Sequence, residues 1–161
     1  MDCRTRLIQY LTEQGVNFDV REHEEAFTAQ RVAASEHVEG WAFAKVVIVK
    51  VDGDLQMLVL PAPERVDLDV VALALGAREV TLANERDFAG RFGDCELGAM
   101  PPFGSLYGIP VVADTTLGGR ERIVFEAGTH TTTITMPWAD YTRLVHPTIV
   151  DFGGVATIAA S

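Results

Sequence analysis

Lysine and cysteine are scarce in this sequence. Of its 13 basic residues, only Lys45 and Lys50 are lysines, and the rest are arginines. Cysteine occurs twice, as Cys3 and Cys95, with no CxxC motif and no Cys/His pair at zinc-binding spacing, which excludes the common structural zinc sites. Because disulfides are rare in cytosolic proteins, we expect both cysteines to be reduced and inert.

Long apolar runs are also missing. No run approaches the ~20 residues of a membrane-spanning helix, and residues 1–12 lack the apolar centre of a signal peptide. The charge balance, 13 Lys and Arg against 23 Asp and Glu, argues against non-specific binding to DNA, whose affinity comes from neutralised phosphates. With 161 residues, 48% of them hydrophobic, the chain can bury a sizeable core. We therefore expect one domain, 1–161, in a soluble cytoplasmic protein without a membrane or DNA partner.

Short helices and short strands alternate along the chain. Two apolar, β-branched runs flank Asp52-Gly53-Asp54, which predicts a β-hairpin. Strands are predicted at 16–22, 43–51, 55–60, 79–82, 109–113, 122–125 and 131–136, and helices at 3–14, 28–38, 70–75, 84–93 and 137–145. This order predicts an α+β (mixed α/β) domain around a mixed sheet. The Gly- and Ala-rich residues 151–161 are predicted to be a loose tail.

Lys45 stands inside an apolar strand. Period-two alternation places it on the face shared by Val47 and Val49. Since an unpaired buried charge is costly, Lys45 needs a partner or an anionic ligand. The alternative is a lysine that reaches solvent or a nearby carboxylate from the end of the strand. Lys50, beside the hairpin turn, is expected to be solvated.

Glycine and proline are concentrated in the segment 98–104, Gly-Ala-Met-Pro-Pro-Phe-Gly. Its two prolines fix φ and remove two N–H donors, while Gly98 and Gly104 allow close approach of another group. Such a stiff loop could present the N–H groups of Phe103, Gly104 and Ser105 to a carbonyl or phosphate oxygen. An ordinary connection before a strand is the alternative.

His130 ends the turn Ala-Gly-Thr-His that follows a predicted strand. Its imidazole could orient a ligand or a water as donor or acceptor, or it could be a partly exposed turn histidine. His23 and His37 do not combine with it at the spacing of a recognised metal site, so we expect no metal. Nucleophile elbows and phosphate-binding glycine loops are absent from the sequence. A hydrolase with this sequence would therefore have to activate water without a protein nucleophile.

Three segments in this order resemble the YbaK/prolyl-tRNA synthetase-associated editing-domain family. They are FAKVVIVK at 43–50, GAMPPFG at 98–104 and FEAGTH at 125–130. The opening helix, the first strand and the last helix also match, so the resemblance covers nearly the whole chain. It implies a mainly antiparallel mixed sheet, curled toward a partial barrel and flanked by helices. It also implies an aminoacyl-tRNA deacylase that acts in trans on mischarged tRNA and needs no cofactor.

The resemblance implies Lys45, Gly104 and His130 as catalytic residues around a cleft. Lys45 would bind a phosphate or ribose oxygen of the terminal adenosine, amides around Gly104 would stabilise the ester oxygen, and His130 would orient water or line the pocket. Many members have Thr, Asn or Ser where this chain has Val46, so the cysteine or alanine specificity of the best-known subgroups is not implied here. The implied pocket suggests a small amino acid, and the choice among Ala, Ser, Thr and Cys stays open. The implied substrate-binding residues are Met100, Pro102, Phe103, Gly128 and Thr129.

The acidic balance is consistent with a weak tRNA binder to which an aminoacyl-tRNA synthetase or an elongation factor presents the substrate. Two other functions stay open: a non-catalytic binding module of the same fold, and a hydrolase of another small ester. We expect Lys45→Ala and Gly104→Pro to abolish deacylation and leave the fold intact, because neither residue should build the core. Arginines that could contact tRNA phosphates are Arg4, Arg6, Arg120, Arg122 and Arg143.

Overall fold

A computed structural model describes residues 2–23 and 40–154. The predicted helix at 28–38, and His37 with it, lie outside these residues. The α-helices are α1 (Cys3–Glu13), α2 (Leu68–Leu75), α3 (Glu85–Phe88) and α4 (Trp138–Val145). The strands are β1 (Asp19–Glu22), β2 (Ala44–Val51), β3 (Asp54–Pro61), β4 (Arg65–Val66), β5 (Val80–Leu82), β6 (Val111–Asp114), β7 (Arg122–Glu126), β8 (Thr132–Pro137), β9 (Thr148–Val150) and β10 (Gly153–Gly154).

The β2–β3 hairpin is the centre of a five-stranded mixed sheet with the order β5-β2-β3-β6-β9. β2 pairs antiparallel with β3 and β5, whereas β6 runs parallel to β3 and β9 parallel to β6. β1, β8 and β7 form a second, antiparallel sheet. Within the described ranges, a parallel bridge between Phe43 and Val124 joins the two sheets. This confirms the predicted α+β class, with the mixed sheet divided into two sheets and flanked by helices.

Side-chain alternation along the hairpin creates two cores. Ala44 and Ile48 face a main core, which α1, α4 and both large sheets share. Val49 faces a smaller core that is completed by Val71 of α2 and Phe152. Asp52 and Gly53 have positive φ values of 49° and 91°, as a two-residue hairpin turn of mirror-image type requires.

Most predicted elements are present, with shifted ends. The Asn84 and Asp87 side chains form the predicted capping box, but the helix ends at Phe88 rather than near residue 93. The short strands β4, β9 and β10 were not predicted, because two or three residues carry no readable periodicity. None of the described helices has both the length and the apolar character needed to cross a membrane.

The prediction of a loose tail from residue 151 is wrong for its first residues. Phe152 is fully buried in the smaller core. Gly153 and Gly154 pair with Val66 and Arg65. A single aromatic side chain fixes this segment, although its composition is typical of a loose end. Residues 155–161 lie outside the described part of the chain.

The prediction of two reduced cysteines is also wrong, because Cys3 and Cys95 form a disulfide. The Cys3 N–H donates to the Asp94 carbonyl at 2.9 Å, so the first turn of α1 lies against the segment that holds Cys95. The Tyr107 hydroxyl lies 3.2 Å from the Cys3 sulfur and 3.3 Å from that of Cys95. The small number of cysteines in the sequence does not indicate that two residues 92 positions apart are close in the fold.

Reduction of this disulfide is expected to lower the free energy of unfolding by about 4 kcal/mol. The bond closes a loop of 92 residues, and cross-linking restricts the unfolded chain more as the loop lengthens. Urea unfolding with and without dithiothreitol measures the difference. The Cys3→Ser/Cys95→Ser variant is the control and should not respond to dithiothreitol. Equal midpoints for the wild type in both conditions would contradict the prediction.

Candidate active site

Lys45 and Glu126 lie beside the bridge that joins the two sheets. Lys45 is two residues beyond Phe43, and Glu126 is two residues beyond Val124. Adjacent residues in parallel strands have side chains on the same side, and the orientation repeats every second residue. Lys45 and Glu126 therefore project from the same side of the junction, away from the main core.

The ammonium group of Lys45 is bound to backbone carbonyls. Its register partner is Leu60, so its side chain reaches the turn after β3. Nζ donates to the Ala62 carbonyl at 3.0 Å and to the Glu64 carbonyl. Partial burial lowers the pKa of Lys45, and the nearby Glu64 carboxyl opposes this shift. An ammonium has three N–H donors, and these two carbonyls are its acceptors among the described residues, so one donor remains for a ligand oxygen.

Lys50, by contrast, is not simply solvated. Its Nζ lies 2.9 Å from Asp87 Oδ1, and its side chain is 36% exposed. The ion pair connects β2 to α3, away from the bridge between the sheets. Of the two lysines, only Lys45 lies beside this candidate site. Lys50 therefore offers a matched control for Lys45 in later experiments.

His130 connects the turn after β7 to the start of the 98–104 segment. Its Nε2 lies 2.8 Å from the Leu97 carbonyl, which can only accept, so Nε2 carries a hydrogen. Its Nδ1 faces Glu126 Oε2 at 3.6 Å. A Cβ on Gly98, whose φ is +85°, would lie 3.3 Å from His130 Cε1. The His130 imidazole is thus held between Leu97 and Glu126. The structure therefore brings together the predicted 98–104 segment and the turn that ends at His130.

Glu126 is a candidate site residue that sequence reasoning missed. Its side chain is only 12% exposed. Burial raises the pKa of Glu126 to about 7, and the nearby Glu96 adds to this effect while His130 and His23 oppose it. A carboxyl with such a pKa can exchange a proton at neutral pH. Because strand side chains alternate, Glu126 lies on the same face of β7 as Val124, and this alternation is the sequence signal that could have identified it.

Gly104 and its neighbours belong to the main core, which corrects one prediction. Phe103 is fully buried and packs edge-on against Tyr141, with ring centroids 5.4 Å apart. The Tyr141 hydroxyl donates to the Pro102 carbonyl at 2.6 Å, and Met100 is buried in the same core. A Cβ on Gly104 would lie 2.6 Å from the Ile109 carbonyl oxygen. Gly104→Pro therefore cannot be expected to leave the fold intact.

Gly104→Ala should lower the free energy of unfolding by about 3 kcal/mol, because overpacking against fixed backbone costs this much. The added methyl group would also lie 2.9 Å from Val111 Cγ2. Guanidinium unfolding measures the change. Gly119→Ala is the matched control, since nothing lies within 4 Å of a Cβ there. Equal stabilities of the two variants would show that the turn relaxes without cost.

Gly128 and Thr129 hold the turn to the rest of the protein. Gly128 has a φ of +94°, and a Cβ there would lie 2.8 Å from Cys3 Cβ. Thr129 donates to the Thr132 hydroxyl at 2.8 Å, and Thr132 donates to Glu22 Oε2 at 2.9 Å. Gly128 also donates its N–H to the Ala99 carbonyl at 2.8 Å. These contacts give both residues a structural role whether or not they also touch substrate.

At least three of the five arginines considered as phosphate contacts have acidic partners among the described residues. Arg4 pairs with Glu22 at 2.9 Å, and Arg143 pairs with Asp140 at 3.2 Å. The third, Arg6, pairs with Asp94 at 3.3 Å and lies over the Tyr107 ring. A tRNA phosphate would have to compete with these partners, whereas Arg122 is exposed at the start of β7.

The Lys45 ammonium has a spare donor, and the Glu126 carboxyl faces the His130 imidazole. Groups of these kinds serve in hydrolysis by a positioned water. Residues 23–144 match the family model described as the aminoacyl-tRNA editing domain. The chain belongs to this family. It is 31% identical over 155 residues to the multifunctional Ser/Thr-tRNA deacylase ProXp-y of Escherichia coli (strain K12), which covers 91% of this chain and 90% of that protein.

Solved structures show the same fold. A protein proposed to be a trans-editing enzyme for prolyl-tRNA synthetase superimposes with a TM-score of 0.82 at 18% identity, covering 94% of this chain and 97% of that chain. A protein from Marinobacter aquaeolei VT8, proposed to act in signal transduction, has a TM-score of 0.71 at 20% identity and covers 97% of this chain and 32% of that chain. Together these comparisons confirm the predicted family and fold.

Proposed function

We propose that this protein hydrolyses, in trans, the ester bond of tRNA mischarged with a small amino acid. The observation that carries the proposal is its 31% identity, over nearly its whole length, to a protein named as a Ser/Thr-tRNA deacylase. That relationship and the family agree with the predicted class of enzyme, a hydrolase of aminoacyl ester bonds. Among Ala, Ser, Thr and Cys, the relative's name favours Ser and Thr as the amino acids removed.

The proposed mechanism uses the groups beside the bridge between the sheets. The spare N–H of Lys45 binds a phosphate or ribose oxygen of the 3′ adenosine. The pair formed by Glu126 and His130 takes the proton of a water whose oxygen attacks the ester carbonyl. The bond to the ribose oxygen then breaks, that oxygen takes up a proton, and the free amino acid leaves.

Backbone amides of the 98–104 segment are proposed to stabilise the charge on the ester oxygen. One such donor contributes about 10²–10³ in rate in other enzymes. Gly98 supports this role, because its backbone lies against the His130 ring. Gly104, by contrast, is packed against the Ile109 carbonyl in the main core, so the Gly98 end of the segment is the part proposed to meet the ester oxygen.

A deacylation panel tests the proposal. The purified protein is incubated with tRNAs charged with labelled Ala, Ser, Thr, Cys or Pro, beside the Lys45→Ala and Lys50→Ala variants. We expect loss of the Ser or Thr ester with wild type and Lys50→Ala but not with Lys45→Ala. Binding of charged tRNA without turnover would indicate a binding module instead. Hydrolysis of free amino acid esters at the same rate would indicate a hydrolase that does not require tRNA.

A further inference from the structure

The side-chain carboxyl groups of Glu64 and Asp114 are both buried, and both contact the Thr116 hydroxyl next to the turn that binds Lys45. Glu64 is 4% exposed and Asp114 is fully buried. The Thr116 hydroxyl lies 2.9 Å from Glu64 Oε1 and also contacts Asp114 Oδ2. Burying two carboxylates side by side is costly unless one is neutral or both are well paired. The free-energy cost of burying both groups therefore has to be offset by their protonation state or by their hydrogen bonds.

The hydrogen bonds of this cluster favour a proton on one of the carboxyl groups. A threonine hydroxyl has one hydrogen and can donate it to only one acceptor. Since Thr116 contacts an oxygen of each carboxyl group, the second contact is a full hydrogen bond when a carboxyl hydrogen donates it. The chain of donors is thus one carboxyl O–H to Thr116, and Thr116 to the other carboxylate.

The contacts assign this proton to Glu64. Asp114 Oδ1 accepts the N–H groups of Phe152 and Gly153 at 3.0 and 3.1 Å, which favours negative charge on Asp114. Glu64 Oε2, by contrast, finds no hydrogen-bond partner among the described residues, as suits the carbonyl oxygen of a neutral acid better than a charged one. Burial and the Asp114 carboxyl raise the pKa of Glu64 to about 7.

Glu64 and Lys45 are connected through the same turn. The Glu64 and Ala62 carbonyls are the two acceptors of the Lys45 ammonium. A Cβ on Gly153 would overlap the Glu64 carboxyl, so β10 closes the cluster from the other side. We propose that neutral Glu64, linked through Thr116 to Asp114, is a positioning residue that fixes the turn on which Lys45 is oriented.

Loss of the Glu64 proton should disturb this arrangement. The charged groups that face Glu64 are Asp114 at the end of β6, Asp151 after β9 and Lys45 of β2, with Arg65 also acting on Lys45. A charged Glu64 would repel Asp114 and Asp151 and attract Lys45. The Lys45 ammonium would then turn from the two backbone carbonyls toward the Glu64 carboxylate. It would no longer direct its spare N–H toward a ligand.

Side-chain NMR of lysine tests the proposal directly, because the sequence has only two lysines. Protein labelled with ¹³C,¹⁵N-lysine gives one Nζ signal each for Lys45 and Lys50, assigned with Lys50→Arg. We expect the Lys45 signal to change with an inflection near pH 7 and the Lys50 signal not to share it. In Glu64→Gln, which mimics the neutral acid, the inflection should vanish and Lys45 should keep its low-pH shift. An inflection that persists in Glu64→Gln, or its absence from wild type, would overturn the proposal.

The catalytic consequence rests on the proposed function and is measured separately. The ratio of wild-type to Glu64→Gln kcat for deacylation should be near one at pH 6 and fall at least threefold at pH 8.5. Thr116→Val, which breaks the link to Asp114, should lower kcat at both pH values while circular dichroism stays unchanged. A ratio that does not vary with pH would overturn the positioning role. If wild type deacylates no tRNA, the proposed function fails, and the NMR titration still decides whether Glu64 positions Lys45.

Discussion

Lys45→Ala should lower kcat/KM for deacylation about 100-fold, because a hydrogen bond from a charged donor contributes up to about 3 kcal/mol. The variant removes the lysine that lies beside the bridge between the sheets, together with its spare N–H. Its folded structure should survive, since the Lys45 side chain is only partly buried and its two acceptors are backbone carbonyls. Single-turnover deacylation of seryl-tRNA and threonyl-tRNA measures the loss.

Lys50→Ala is the matched control for Lys45→Ala. It removes the other lysine and an ion pair with Asp87 on the surface, which costs little stability. We expect its kcat/KM to stay within twofold of wild type. A Lys45→Ala enzyme that retains full activity would remove Lys45 from the mechanism, and one that is unfolded by circular dichroism would show that the lysine stabilises the β3–β4 turn instead.

The strand that carries Lys45 was predictable because its signals are local. The β-branched run, the Asp-Gly turn and period-two alternation together predict the hairpin and the face on which Lys45 lies. The same alternation puts Val49 in the smaller core and Ile48 in the main core, as observed. Three short motifs then sufficed to indicate the family. The hairpin and its faces depend on residues within a few positions of one another, and the family on the order and spacing of three such local motifs.

The parts that were not predictable depend on distant contacts. Glu126 ends a strand, where a glutamate is ordinarily exposed, but in the folded chain its side chain is only 12% exposed and faces His130. Glu64 follows a proline-containing turn and meets Asp114 only because β6 lies beside β3. Gly104 was interpreted as a functional glycine, yet its small size is required by the Ile109 carbonyl. Composition cannot reveal which residues come together through the sheet.

Between pH 5 and 8 the free energy of unfolding should fall by about 5 kcal/mol more in wild type than in the Glu64→Gln/Glu126→Gln variant. The pKa of each glutamate is raised from 4.5 to about 7 in the folded protein, and one pKa unit corresponds to about 1.4 kcal/mol. The two groups therefore favour folding below pH 4.5, and this contribution is lost as the pH rises through 7.

Urea unfolding at intervals of half a pH unit resolves this contribution and assigns it to each residue. Each single variant should remove about half of the pH-dependent loss, because Glu64 and Glu126 lie in separate clusters, one with Asp114 and the other with His130. Glu79→Gln, at an exposed glutamate, is the control and should follow the wild-type profile. Measurement above pH 5 avoids the range in which Asp2 and Asp87, whose pKa values are lowered by hydrogen bonds, take up protons. If the wild-type and double-variant profiles run parallel, the two carboxyl groups are ionised at neutral pH, and neither the proton on Glu64 nor the proton uptake by Glu126 can be maintained.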